Sequence, residues 1–172
     1  MFTPEQAQTL AKVFLHDVRN EMPTTRRVLA AVPEAQLDFK LGDKGRTARE
    51  LMWHIAHSEG WSAAGIAASD FSAGSAEGQT PATAAEILAY YDQHVPVIVE
   101  KIQLLTGDQL AAPVNFFNVF NLPLVLYLHF WIKHTVHHRG QLSTYVRAMN
   151  AHVPDIYGGS ADEPFQMPAT AG

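Results

Sequence analysis

Histidine is the residue type best able to do chemistry in this chain, which has 172 residues, nine histidines and no cysteine. His134 and His138 are four residues apart, so on a helix they project from one face, one turn above the other. Two imidazoles at this spacing can reach one ion at metal–nitrogen distances of about 2.0–2.1 Å. The pair therefore indicates a site for one divalent transition metal. Zn, Ni and Fe are the candidates, because neutral imidazole suits all three.

Many histidine pairs of this kind bind no metal, but the apolar periodicity of the segment supports binding here. One face carries a stripe formed by Leu124, Leu128, Trp131, Thr135, His138, Leu142, Tyr145 and Met149. His138 thereby lies in an apolar seam, where an imidazole without a partner would be costly. His134 lies at the edge of the seam, while His137 falls on a more polar flank. Spacing and phase favour His134 with His138 over His134 with His137.

A tight site needs at least one more ligand, and the preceding helical segment offers His54 and His57. Periodicity favours His54 without excluding His57. The stripe that His54 shares consists of Leu51, Ile55, Ser58 and Trp61. His16 and His94 are interpreted as surface or capped histidines and are left out of the site.

Other chemistries have less support. The lack of cysteine excludes disulfides, zinc–thiolate sites, iron–sulfur clusters and a cysteine nucleophile. The sequence contains no G-x-S-x-G motif, phosphate-binding loop, dinucleotide fingerprint or H-E-x-x-H motif. Carboxylates near the histidines are few, with Glu59 the nearest along the chain, which argues against a di-iron carboxylate site.

Composition predicts a globular protein, with 47% hydrophobic and 17% charged residues. The formal net charge of -5 and the lack of a basic stripe argue against nucleic-acid binding. The N-terminus lacks the features of a signal peptide. The longest apolar stretch, residues 122–132, is about half of a membrane span. We therefore expect a cytoplasmic protein with no membrane partner.

Four segments have helical periodicity, and they span about residues 4–32, 47–67, 83–105 and 121–149. Thr3 is the expected N-cap of the first helix, and Thr47 and Thr83 each have a glutamate three residues later, as in a capping box. Pro23 and Pro96 predict kinks. The inner stripe of the first helix is predicted as Leu10, Val13, Phe14, Asp17 and Val18.

The connections complete an all-α four-helix bundle without a sheet. Residues 68–81 form a long loop that allows the second and third helices to be parallel or antiparallel. Residues 112–121 form an irregular, aromatic-rich connection, and an irregular tail covers about residues 150–172. The whole chain, residues 1–172, is expected to be one domain. Because the segment 116–120 is unusually apolar for a connection, it also predicts a homodimer.

The motifs around these histidines resemble a known family. Residues 134–147 (HTVHHRGQLSTYVR) and 153–158 (VPDIYG) resemble the signature of the DinB family (DinB/YfiT-like predicted metalloenzymes). Residues 29–33 (LAAVP) and 47–54 (TARELMWH) resemble the end of the family's first helix and the start of its second. The resemblance covers nearly the whole chain.

The resemblance implies a four-helix bundle with up-down-down-up connectivity, which the crossover at residues 68–81 can accommodate. It also implies a mononuclear site with one histidine from the second helix and two from the fourth. Carried over by position, these ligands are His54, His134 and His138. The glutamate–leucine pattern at Glu50 and Leu51 thus favours His54 over His57.

Family members of known activity include thiol-dependent transferases and isomerases. The resemblance therefore implies a metal-dependent enzyme with a small-molecule substrate, and a thiol-dependent S-transferase is the leading hypothesis. A low-molecular-weight thiol would be needed, since the chain has no cysteine nucleophile. The alternatives are a metal-dependent hydrolase and a non-catalytic, stress-associated metal-binding protein. An open pocket would favour an enzyme, and a site sealed by Trp53, Trp61 and Trp131 the binding protein. His137, Tyr157 and Glu59 are candidates for supporting or acid–base roles.

Overall fold

The computed structural model describes residues 1–167, and four long helices form most of its architecture. The elements, in chain order, are α1 (Pro4–Ala30), a 3₁₀ turn (Glu34–Gln36), α2 (Ala48–Ala68), α3 (Ala84–Ile102), α4 (Gly107–Ala111), β1 (Pro113–Phe116), β2 (Phe120–Pro123) and α5 (Leu124–Ala148). None of the helices in this described part is long and apolar enough to cross a membrane.

Threonine caps determine where four of the helices begin. Thr3, Thr47, Thr83 and Thr106 each accept a hydrogen bond from a backbone N–H three residues later, whose Glu or Gln side chain binds back to the threonine N–H. The capping boxes predicted at Thr47 and Thr83 are confirmed. The box at Thr106 begins a short helix, α4, which the sequence analysis did not predict. Helices α1 and α3 continue unbroken through their internal prolines.

A small antiparallel sheet stands where the sequence predicted an irregular connection. Strands β1 and β2 pair with Val114 opposite Leu122 and Phe116 opposite Phe120. The side chain of Asn115 binds Asn118 in the turn that joins them. Each strand has only four residues, too few for an alternating pattern to stand out among aromatic side chains. The prediction of an all-α fold without a sheet is therefore wrong, and the fold is mostly helical with a two-stranded sheet.

The hydrophobic core lies between the four long helices, where α1 and α2 each pack against α3 and α5. The stripe predicted on α5 is confirmed for its apolar members, which are buried. The stripe predicted on α1 is partly wrong, because Val13 and Asp17 are exposed while Ala7, Ala11 and Leu15 are buried. Small alanines form the buried face here, and their low hydrophobicity concealed it.

The chain from residue 150 to residue 167 contains no helix or strand, as predicted for the tail. Ion pairs hold it against the helices, with Arg27 binding Glu163 and Arg147 binding Asp162. Residues 168–172 of the predicted tail lie outside the described residues.

Candidate metal centre

Helices α2 and α5 bring together the three histidines that the sequence analysis selected. His54, His134 and His138 each offer one donor atom, and these atoms all lie within 4.8 Å of one another. The Nε2 atoms of His54 and His138 are 3.2 Å apart. The three side chains are half-buried, because they lie where the apolar faces of the two helices meet.

The donor set fits a divalent transition metal. Two nitrogens bound tetrahedrally at about 2.0–2.1 Å are about 3.3 Å apart, close to the separation between His54 and His138. The Nδ1 atoms of both rings face oxygen acceptors: His54 lies 2.6 Å from Oε1 of Glu77, and His138 lies 2.7 Å from Oε1 of Gln141. Because Nδ1 donates to these oxygens, each Nε2 keeps a lone pair for a metal ion.

The protonation of the cluster also suits metal binding. Burial, followed by the neighbouring His138 and His54, lowers the pKa of His134 to about 4. Burial likewise lowers the pKa of His138, against the opposing hydrogen bond to Gln141. Both rings are therefore neutral at pH 7, as an imidazole ligand must be.

Glu77 belongs to the site although the sequence analysis missed it. Its carboxylate binds His54 and also accepts from Nη1 of Arg46 at 3.1 and 3.2 Å. Burial alone would raise the pKa of Glu77. The hydrogen bonds from His54 and Arg46 outweigh this effect, so the pKa lies below its ordinary value. Nε1 of Trp53 donates to the Glu77 carbonyl at 2.8 Å, so the α2–α3 connection is fixed beside the cluster. The one available signal was that Glu77 is the only charged residue between residues 71 and 85.

A cavity of about 430 Å³ lies beside the cluster and reaches His138. Its other lining residues are Leu41, Gly45, Arg46, Leu51, Gln141, Thr144 and Tyr145. Trp53, Trp61 and Trp131 do not line it. The arrangement thus gives a small molecule access to one edge of the histidine cluster.

The remaining histidines lie outside the cluster. His57 packs against Trp53 and Tyr90, with ring centroids 5.3 and 6.3 Å away, and burial lowers its pKa. His137 is exposed and packs edge-on against His138. His16 and His94 are exposed, as predicted.

Glu59 and Tyr157, both candidates for supporting or acid–base roles, form no hydrogen bond with the three histidines in residues 1–167. Glu59 is buried and accepts a hydrogen bond from Tyr91 at 2.9 Å. The Tyr157 hydroxyl binds Arg139 and Glu21. Arg139 is 1% exposed and pairs with Glu21 at 2.5 Å. The burial of Arg139 could not be predicted, because arginine is usually a surface residue and nothing in the residues around it signals a buried partner.

The chain is similar to a known protein family and to one of the curated proteins. The sequence model of the DinB family matches residues 1–166. The uncharacterized protein YrdA of Bacillus subtilis is 27% identical over 155 residues, which cover 87% of this chain and 89% of YrdA.

Two solved structures resemble the fold. A DinB-like protein from Bacillus cereus superposes with a TM-score of 0.73 at 25% identity, covering 84% of this chain and 95% of that one. A DinB-like protein from Bacillus subtilis, YjoA, superposes with a TM-score of 0.66 at 19% identity, covering 91% and 98%.

Proposed function

The chain belongs to the DinB family, and on this premise we propose that it is an enzyme that depends on one divalent transition metal. The ligands are His54, His134 and His138, and the metal is Zn, Ni or Fe. The observation that carries the proposal is that three imidazole donors lie within 4.8 Å of one another beside a cavity of about 430 Å³. When bound, the metal supplies a Lewis acid that lowers the pKa of a water or thiol toward neutrality.

The protein's own residues hold and orient the reactants. The neutral rings of His134 and His138 present lone pairs, while Glu77 and Gln141 fix the tautomers of His54 and His138. Leu41 and Leu51 line the cavity with apolar surface and limit the water around a bound molecule. A cavity that reaches a ligand histidine supports an enzyme over a sealed metal-binding protein.

The leading reaction is the transfer of an organic group between an electrophilic small molecule and the sulfur of a low-molecular-weight thiol. The chain has no cysteine, so the sulfur nucleophile must come from a second small molecule. Metal-dependent hydrolysis is the second candidate, favoured by the same open access to the cluster. A stress-associated metal-binding role without turnover is the third.

Metal analysis of the purified protein tests the proposal. We expect about one Zn, Ni or Fe per chain, lost in His138→Ala and retained in His57→Ala. A wild-type protein that retains none of these metals, or a His57→Ala variant that loses its metal, would contradict the ligand set. A screen of electrophiles with the metal-loaded protein should then give turnover only when a small thiol is added.

Several finer features belong to the same proposal. We propose one domain over residues 1–172, a four-helix bundle of up-down-down-up connectivity and a cytoplasmic location. The packing of α1 and α2 against both α3 and α5 supports the bundle. The long connection between α2 and α3, residues 69–83, provides the crossover.

We also propose that the protein is a homodimer. The β1–β2 hairpin and the start of α5 expose large apolar side chains near one another. Val119 is 68% exposed, Phe130 50%, Phe117 45% and Phe120 43%, and the rings of Phe120 and Phe130 are 6.4 Å apart. Contiguous apolar surface of this kind favours burial against a second copy.

A further inference from the structure

Within residues 1–167, Arg46 is the only charged residue that lines the cavity beside His138. The backbone around it is well anchored. The Tyr145 hydroxyl donates to the Arg46 carbonyl at 3.0 Å, and Thr47 caps α2 immediately afterwards. Gly45 allows this contact, because a Cβ there would lie 2.9 Å from both the Tyr145 hydroxyl and the Leu41 carbonyl. The Arg46 side chain therefore extends from an anchored backbone at the wall of the cavity.

The guanidinium of Arg46 has N–H donors that its ion pair with Glu77 does not use. Its Nη1 atom binds both carboxylate oxygens of Glu77. Its Nε and Nη2 atoms form no hydrogen bond within residues 1–167, and the side chain is 47% exposed. That edge binds a carboxylate side-on elsewhere in this protein, where Nε and Nη2 of Arg26 donate to Asp92 at 2.7 and 2.8 Å. The same fork in Arg46 is available to a ligand.

The charge of the site favours an anion. Histidine ligands bring no negative charge, so the two positive charges of a divalent ion would stay uncompensated. The carboxylate that contacts His54, Glu77, is already paired with Arg46. The loop of residues 40–46 contributes Lys40, Lys44 and Arg46 against a single acid, Asp43, in a chain of net charge -5. None of the carboxylates in the described part of the chain lines the cavity. Attraction for an anion is therefore local to this site.

The volume and the lining of the cavity limit the size and polarity of the anion that it can bind. A volume of about 430 Å³ lies in the range of small organic ligands. Leu41 and Leu51 offer apolar contacts, while Gln141 and Thr144 offer hydrogen bonds. We infer that the cavity binds a small, partly apolar organic carboxylate, whose charge is recognised by the Nε–Nη2 edge of Arg46 and whose other end faces His138. This inference rests on the proposed metal-dependent function.

A matched pair of thiols tests the inference. Calorimetric titration of the zinc-loaded protein compares 3-mercaptopropionate with 3-mercaptopropan-1-ol, which differ in the carboxylate. We expect the acid to bind about 10-fold more tightly than the alcohol, as a charge-assisted pair provides. Arg46→Gln should remove this preference while its metal content and its affinity for the alcohol stay unchanged.

Arg26→Gln is the control, because Arg26 has similar exposure and pairs with Asp92 outside the residues that line the cavity. It should keep the full preference. Arg46→Lys retains the charge without the fork, so its preference for the acid should be smaller than that of the wild-type protein.

Four outcomes would overturn the inference. Equal affinity of the wild-type protein for the two thiols contradicts anion recognition but leaves the metal site standing. An undiminished preference in Arg46→Gln contradicts the role of Arg46. If Arg46→Gln loses its metal, the comparison is made in Arg46→Lys, where an undiminished preference contradicts the role of the fork. A wild-type protein that retains no zinc contradicts the proposed function, and the inference falls with it.

Discussion

Nδ1 of His54 lies 2.6 Å from Oε1 of Glu77, which belongs to the connection between α2 and α3, 23 residues further along the chain. The same carboxylate binds Arg46, and the Glu77 carbonyl accepts from Trp53. Glu77 therefore ties the connection between α2 and α3 to a candidate metal ligand. This contact orients the imidazole and increases its basicity toward a metal.

Glu77→Gln should therefore weaken metal binding by about 10- to 100-fold, the usual cost of losing such a partner. Competition with a chelator of known affinity measures the change. Glu100→Gln is the control, because Glu100 forms an exposed ion pair with Arg19 away from the site, and it should leave the affinity unchanged. Wild-type affinity in Glu77→Gln, with loss of binding in His54→Ala, would show that Glu77 does not position the ligand.

The buried carboxyl of Glu59 should make stability depend on pH. Burial raises its pKa from 4.5 to about 7, against the hydrogen bond from Tyr91. Between these values the unfolded chain ionises while the folded protein keeps the proton, so stability falls as pH rises. Above pH 7 both states are ionised, and the full penalty of about 3 kcal/mol remains.

Glu59→Gln should accordingly be more stable than the wild-type protein by up to about 3 kcal/mol at pH 8 and equally stable near pH 4.5. Urea unfolding of both proteins in the presence of a chelator measures the difference. His134 and His138 have lowered pKa values, so they oppose this trend, but they contribute equally to both proteins. A difference that is constant with pH would contradict the assignment to Glu59.

The clustering of His54, His134 and His138 could be predicted because the signals that mark these residues are local. His134 and His138 have a helical spacing, and the helix cap at Thr47 and Glu50 begins the helix that carries His54. The hydrogen-bond partners of these histidines could not be predicted. Glu77 reaches His54 from a loop without periodicity, and Arg46 lines the cavity from a loop that Tyr145 contacts across 99 residues of sequence.

The fold shows the same division between local and long-range information. Threonine caps and apolar periods predicted the positions of the four long helices. The β1–β2 hairpin depends on the pairing of two four-residue strands, and the buried face of α1 depends on alanines that fit close to neighbouring helices. Neither property can be predicted from the hydrophobicity of a short stretch of sequence.

Arg139 and Arg147 lie on the same helix, and their ion pairs should contribute unequally to stability. Arg139 is 1% exposed and pairs with Glu21, whereas Arg147 is 49% exposed and pairs with Asp162. Arg139→Gln leaves Glu21 without its buried partner and should cost about 3 kcal/mol. Arg147→Gln should cost less than about 1 kcal/mol. Equal midpoints of urea unfolding for the two variants would contradict this distinction.

The proposed homodimer places the apolar surface of the β1–β2 hairpin in the interface. The chain has a mass of 19.0 kDa, so light scattering at micromolar concentration should give about 38 kDa, since a patch of this kind is stabilised by burial. Phe120→Asp puts a charge into the patch and should give the monomer. Leu104→Asp is the control, because Leu104 is 78% exposed but follows α3, away from the hairpin. A wild-type species of 19 kDa would contradict the homodimer. A dimer that survives Phe120→Asp and is lost in Leu104→Asp would place the interface away from the hairpin.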